Sequence, residues 1–479
     1  MKEVAFKVKA LVGIDIGTTN IKVIAFSVEG KPLITLSRKN VFCEENGYFD
    51  FDGNYIFNNV LSMINELVIK DIKIESIGIS SLAETVFPIF KTDISTIKSM
   101  VWYDRRTNKI KESFFKKIGE EDFFKITGLK PQALYSIFKI GWYYENENEF
   151  FSKAIKWLPV NSYLGYQLTG AHYIDYTMLS RTGALDIKKK EWSDKIFSLL
   201  PFNKEVFPDF INSGEKIGFL KKRYKNFLGI DYDIPVSLGG HDHICGNYAV
   251  AAFQGNNVIM DSMGTAENIQ AIVNLENIDL EKLFKKDLFV GLHVIPDKAY
   301  IYRAFHYSGG LINNLISLFF NKPIKDIGKK DFEQFNKEAS RYLNKETEIN
   351  FFIEDNKDNI TSKDLFLHDI NIIDIPLRAR RGEVFMAGIR YLGKKGKEII
   401  CDLEKLTGIK AEVVAIGGST RNELLMKEKA RIIKRNLYIN QVEEAVTLGA
   451  ALLGGVGAGI FKDYREAVGN ISREKVKVL

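Results

Sequence analysis

Cysteine is nearly absent from this sequence: Cys43, Cys245 and Cys401 are the only three in 479 residues, far apart and in no CxxC pair. That excludes a disulfide framework and a zinc knuckle and points to a reducing compartment, the cytoplasm. Charge of one sign is lacking as well. Lys plus Arg number 67 against 61 Asp plus Glu, and the net +6 is spread along the chain with no basic block of the kind that binds nucleic acid. Short runs such as Lys188 to Lys190 read as solvated faces. No apolar run is long enough for a membrane. Thr447 to Phe461, about fifteen mostly small residues, falls short of the roughly 20 needed and reads as a buried helix. Met1 to Lys7 carries charges where a signal peptide needs an apolar stretch. What is present is apolar material, 46% of residues, enough for more than one core, so two domains are expected.

Ala10 to Ile14 is apolar, enters Asp15-Ile16-Gly17-Thr18-Thr19-Asn20 and returns through Ile21 to Val28, which predicts a hairpin tipped by Gly-Thr-Thr. Val258 to Thr265 repeats the pattern of apolar residues, an acid, then Gly-Thr, so the two halves echo each other loosely. Strands are also expected over 76–80, 85–90, 299–305 and 413–416, with helices over 107–170, from Asn422, and near 445–451. Residues 320–375, rich in Lys, Asp, Asn and Phe, read as helices and surface loops.

The tip from Asp15 to Asn20 offers backbone N–H groups and two hydroxyls to one concave space. Phosphate oxygens fit such a nest, and Asp15 at its mouth is placed to hold Mg²⁺ through water. An ordinary hairpin turn is the competing reading. Gly264-Thr265 and Ser308-Gly309-Gly310 repeat the chemistry, and phosphoryl transfer needs charge neutralisation from several directions. Gly417 and Gly418, with Asn422 following, lie between a strand and a helix, where the missing Cβ lets a flat base approach the backbone. Their spacing is neither the dinucleotide fingerprint nor a Walker A loop. Gly240-His241-Asp242-His243 sets an acid at a helix start. There it serves either as a cap or as the base that takes a proton from an attacking hydroxyl, and the base is the better reading. Shared metal ligation by the two histidines is disfavoured, since residues i and i+2 of a helix diverge. Glu84, and Trp102 with Asp104, Arg105 and Arg106, are candidates for reading substrate hydroxyls. Each is equally open to being a structural ion pair or core aromatic.

In order along the chain, Asp15-Ile16-Gly17-Thr18-Thr19, Trp102-Tyr103-Asp104-Arg105-Arg106, Lys139 with Trp142, Gly240-His241-Asp242, Met263-Gly264-Thr265, Ser308-Gly309-Gly310, Gly417-Gly418-Ser419 with Asn422, and Glu444-Ala445-Val446 with Gly449-Ala450-Ala451 resemble the FGGY family of carbohydrate kinases. The resemblance implies an α/β chain of two ribonuclease-H-like domains, the actin-like ATPase fold, around a central cleft. Residues 1–244 would bind mainly the sugar and carry the first phosphate loop, and residues 245–479 would bind mainly the nucleotide. The implied cofactors are ATP and Mg²⁺. Asp242 matches the catalytic base, Thr18, Thr19 and Asn20 the first phosphate loop, and Gly264 and Thr265 the second. Gly309 and Gly310 match a further nucleotide contact, Gly417, Gly418 and Asn422 the adenosine pocket, and Asp15 the acid near the metal. Glu84, Trp102, Asp242 and His243 are the expected substrate contacts.

The expected partner is a small sugar or polyol, neither nucleic acid nor membrane, with a homodimer as the assembly to look for. An actin- or chaperone-like ATPase, and an inactive sugar or nucleotide sensor, are the rival readings. The family's polyol kinases often place Arg before the substrate-binding Glu, whereas here the pair is Ala83-Glu84. That removes a donor from the pocket and argues against glycerol. His243 stands where glycerol kinases have Gln and xylulose kinases Asn.

Overall fold

Residues 10–14 are buried without alternation, as a strand covered on both faces requires. The strand that holds them, Val8–Ile16, pairs antiparallel with Asn20–Phe26 and parallel with Ile72–Ser81. The computed structural model describes residues 8–45, 47–91, 97–251, 258–264, 266–305, 307–343, 345–353, 370–408, 410–440, 442, 444–469, 471 and 475–478. Among these, the first sheet runs in the order Lys216–Phe219, Pro235–His241, Ile72–Ser81, Val8–Ile16, Asn20–Phe26, Pro32–Lys39. Its three central strands are parallel. The helix Gly53–Ile69 covers one face with Ile56, Val60, Met63, Ile64 and Leu67, and is capped by Asp52, which accepts from the N–H groups of Asn54 and Tyr55 at 2.8 and 3.0 Å.

The second sheet repeats this plan. Its order is Phe289–Leu292, Lys298–Phe305, Glu267–Asn274, Val258–Met263, Glu412–Ile416, Leu437–Asn440, Lys475–Lys477. Val258–Met263 occupies the place of Val8–Ile16, antiparallel to the strand that follows it and parallel to the strand that returns beside it. The echo seen in the sequence is therefore a repeat of strand order.

Two helices of small residues, Asp242–Ala251 and Ala445–Gly457, lie packed on each other between the sheets. The second comes from the far end of the chain yet seats on the first sheet. Gly13, Gly78 and Gly239 form a stripe across three parallel strands, and a Cβ built at Gly78 would stand 1.8 Å from the Ala450 carbonyl oxygen. Glycine is required there by close approach of helix backbone to sheet backbone.

Phe124, Leu185 and Ile187 join the core of the second sheet with Val290 and Ile301. The Val290 N–H donates to the Gly128 carbonyl at 3.0 Å, so the helical region of the first half also closes onto the second. That region is not wholly helical. Lys156–Pro159 pairs with Val86–Ile89, because Trp157 and Leu158 are buried. Within 320–375 the helix Lys329–Ala339 is present, together with a hairpin of Asn350–Ile353 and Ile370–Ile373. Four-residue strands leave too little periodicity to read. No described helix is long and apolar enough to cross a membrane.

Candidate active site

Parallel pairing aligns the carboxyl ends of the first sheet's central strands: Asp15 lies opposite Ser80, Ser80 opposite Gly240, and Ser81 opposite His241. Ser80 Oγ donates to Asp15 Oδ1 at 3.2 Å and to the Ile14 carbonyl at 3.0 Å. Asp15 is partly buried, and its carboxyl is pushed up to about 8 by burial first and by the Asp242 carboxylate second, with Lys22 opposing. Two acids with one lysine between them make a corner short of positive charge. That donor set suits a divalent cation of the Mg²⁺ kind.

Beside this corner the Gly17-Thr18-Thr19 tip is fixed by Asn40. Its side-chain Nδ2 donates to the Gly17 carbonyl and its backbone N–H to the Thr19 carbonyl, both at 2.8 Å. Gly17 N–H donates to the Asn20 carbonyl at 2.9 Å. Lys22 Nζ reaches Glu444 Oε2 at 2.6 Å, tying the first hairpin to the start of the Ala445–Gly457 helix.

Asp242 opens its helix with a side chain 21% exposed. His241 Nε2 lies 3.2 Å from Asp242 Oδ1. Its Nδ1 is buried without a hydrogen-bond partner, and burial holds the ring well below the usual histidine range. A neutral His241 donating from Nε2 orients the carboxylate. The expectation that His241 and His243 diverge is corrected here. His241 ends the strand rather than entering the helix, so one donor atom from each of His241, Asp242 and His243 lies within 4.8 Å of the others.

Glu84 holds φ of 66°, the left-handed region that costs a non-glycine residue energy and recurs at functional positions. Its carboxylate takes the buried guanidinium of Arg181, with Nε and Nη2 both 2.6 Å from Oε1. A guanidinium therefore stands beside Glu84 although Ala83 precedes it in the sequence. The guanidinium arrives from 97 residues away. Trp102 Nε1 donates to Thr18 Oγ1 at 3.0 Å. Among its neighbours, Arg106 Nε pairs with Asp104 at 2.9 Å, and Asp104 accepts the Phe49 N–H at 3.2 Å. Lys139 is fully buried and its ammonium donates to the carbonyls of Trp102 and Leu134, while Trp142 lies under the Arg106 guanidinium.

On the second sheet the predicted turns meet at one atom. The Gly264 carbonyl accepts the Gly309 N–H at 3.1 Å and the Ser419 hydroxyl at 3.1 Å. A Cβ on Gly309 would stand 2.7 Å from that carbonyl, and Gly417 holds φ of 99° against Met263. Gly418 faces open space on its Cβ side, room that suits a flat base. Gly310 is buried inside the helix Gly309–Phe320. Asn422 caps the helix Glu423–Ile433 by accepting the Leu425 N–H, and its Nδ2 is buried without a partner. Thr265 lies outside the described residues.

A buried ion network lies beneath these turns. Lys429, Asp261 and Glu267 are all fully buried, and Lys429 Nζ bridges Asp261 Oδ2 and, at 2.6 Å, Glu267 Oε1. Glu267 Oε2 accepts the Ser308 hydroxyl at 2.7 Å. Arg181 and Lys429 sit in no motif, and their pairing with Glu84 and with Asp261, the acid of the Val258 to Thr265 repeat, is revealed only in space.

A strand order repeated in two ribonuclease-H-like domains, with glycine turns at the strand ends, is the actin-like ATPase fold of phosphoryl-transfer proteins. The chain belongs to the FGGY family of carbohydrate kinases. The family's N-terminal domain matches residues 10–249 and its C-terminal domain residues 299–458. A glycerol kinase of Thermococcus kodakarensis is 27% identical over 438 residues, 88% of this chain and 82% of that protein. An L-fuculokinase of Escherichia coli O157:H7 is 23% identical over 485 residues, 96% of this chain and 95% of its own length. The crystal structure of a ligand-bound xylulose kinase from Lactobacillus acidophilus superposes with a TM-score of 0.83 at 22% identity, covering 97% of this chain and 93% of the other. The protein is a carbohydrate kinase that uses ATP.

Proposed function

We propose that this kinase phosphorylates a hydroxyl of a small sugar, ketose or polyol with Asp242 as general base. The supporting observation is the position of Asp242, partly exposed at the end of a central strand and close enough to Asp15 to raise that carboxyl. The Asp242 carboxylate takes the proton of the attacking hydroxyl. The hydroxyl oxygen bonds to the γ-phosphorus, the bond from that phosphorus to the β,γ-bridging oxygen breaks, and ADP leaves. Thr18, Thr19 and Asn20 hold the phosphates from the first sheet and Gly264 and Thr265 from the second, with Gly309 and Gly310 as a further nucleotide contact. Gly417, Gly418 and Asn422 receive the adenosine. Asp15 would hold Mg²⁺ bound with the nucleotide, and that ion would supply neutralisation of phosphate charge. Glu84, Trp102 and His243 contact the sugar.

The functional division falls at 244/245, in keeping with a first sheet drawn from residues before Asp242. Three free thiols accord with a cytoplasmic setting. Asp242→Asn is expected to bind ADP with wild-type affinity in calorimetry and to lose turnover by a factor on the order of a hundred or more. Retained turnover removes Asp242 from the mechanism.

A further inference from the structure

The Glu84 and Arg181 side chains are each only 8% exposed, and both guanidinium contacts fall on one carboxylate oxygen, Oε1. Glu84 Oε2 makes no protein hydrogen bond among the described residues. Arg181 Nη1 donates to Tyr302 Oη at 2.6 Å, and its guanidinium stands over the Tyr135 ring at 5.8 Å. Five N–H groups on a planar fork, three of them spent, leave donors beside an acceptor oxygen. That is the arrangement neighbouring hydroxyls of a polyol satisfy, one accepting and one donating.

The pair is placed against the catalytic strand by a second buried network. Asp175 Oδ1 takes the Thr177 hydroxyl and the Ser213 hydroxyl, and Thr177 Oγ1 in turn accepts the His241 N–H at 2.8 Å. The chain from Asp175 to Arg181 is thereby pinned to the residue preceding Asp242.

Charge decides what enters. Glu84 and Arg181 cancel, Lys139 is turned onto two carbonyls, Lys22 is paired with Glu444, and the carboxyl groups left beyond these pairs are Asp15 and Asp242. A sugar acid would bring a carboxylate to a corner already anionic, and taking Arg181 for itself would leave Glu84 buried without a partner.

We infer that Arg181 and Glu84 together read adjacent hydroxyls of an uncharged sugar or polyol, that aldonates are excluded, and that Tyr302 ties this reader to the second sheet. The inference rests on the kinase reading for its catalytic step and makes Arg181 a specificity-determining residue outside the motifs above. Tyr302 lies on Lys298–Phe305 of the second sheet, so the substrate reader spans both halves.

The test compares kcat/KM of the wild-type protein on ketopentoses, ketohexoses and linear polyols with the corresponding aldonates. An uncharged substrate is expected to exceed its aldonate at least about 100-fold. Arg181→Lys, which keeps the charge and loses the fork, is expected to raise KM for the sugar on the order of 10- to 100-fold with KM for ATP unchanged. Arg181→Met leaves a buried carboxylate and is expected to lower Tm. The double variant Glu84→Gln/Arg181→Met restores Tm without restoring sugar affinity. A preferred aldonate, or an unchanged sugar KM in Arg181→Lys, overturns the inference. Calorimetry with the same panel and a non-hydrolysable ATP analogue separates the two readings. Binding of an uncharged sugar without turnover keeps this inference and removes the kinase reading, whereas no binding of any uncharged sugar removes this inference.

Discussion

Trp102 and Thr18 are joined by an indole N–H to hydroxyl hydrogen bond of 3.0 Å across 84 residues of sequence. One partner belongs to the aromatic patch proposed to contact the sugar and the other to the turn proposed to hold the phosphates, so on that proposal one contact couples the two.

That coupling is measurable. Trp102→Phe and Thr18→Val each break the same bond, and the second also removes the hydroxyl proposed to face the phosphates. The double variant is expected to lose less kcat/KM than the product of the single losses, because residues sharing a contact are not additive. Strict additivity would show the bond to be idle.

The Lys429 bridge predicts a loss felt at the nucleotide. Lys429→Met leaves Asp261 and Glu267 facing each other in the core, a change expected to cost about 3–5 kcal/mol of stability. The triad supports Ser308 and the turns that meet at Gly264. In denaturant titrations the variant unfolds earlier, and KM for ATP rises more than KM for the sugar. A replacement that keeps both stability and KM refutes this support.

The glycine stripe predicts a steric failure. Gly78→Ala drives a Cβ into the Ala450 carbonyl, and overpacking of backbone against backbone is expected to destabilise by on the order of 3 kcal/mol. Gly469→Ala, where nothing lies within 4 Å of the new Cβ, is the control and leaves Tm unchanged or slightly raised. Equal effects at the two sites would contradict the seating of the Ala445–Gly457 helix.

His293 predicts part of the acid limb of stability. Burial, then Lys298, lowers its pKa from 6.5 to about 3, so between those values the unfolded chain holds a proton that the folded chain does not. Stability therefore falls as pH drops through that window. His293 Nδ1 accepts the Ile295 N–H at 3.2 Å, and His293→Asn keeps an acceptor while removing the titration. Its stability is expected to decline less steeply between pH 6.5 and 3, and an identical slope would remove His293 from the effect.

Much of the architecture was legible because it is carried by local pattern. The hairpin through Asp15, its repeat at Val258 and the strand before Gly417 each show continuous apolar runs ending in glycine turns. The candidate site was readable where its residues are consecutive, as in Gly17-Thr18-Thr19 and Gly240-His241-Asp242. It was not legible where chemistry is assembled by folding. Arg181 reaches Glu84, and Lys429 reaches Asp261 and Glu267, through contacts that no spacing encodes. The patch at Asp104 and Arg106 was legible as residues but not as a role. Arg106 and Asp104 form a buried ion pair, which their adjacency in sequence does not reveal.

The most direct test is coupled ADP release by the purified protein with Mg·ATP and a panel of ketoses, aldonates and linear polyols, each against a blank without sugar. The account predicts that one uncharged substrate raises the rate far above the blank, and that Asp242→Asn abolishes the rise. ADP release at the same rate with and without every sugar would contradict it and would make the protein an ATPase of the same fold.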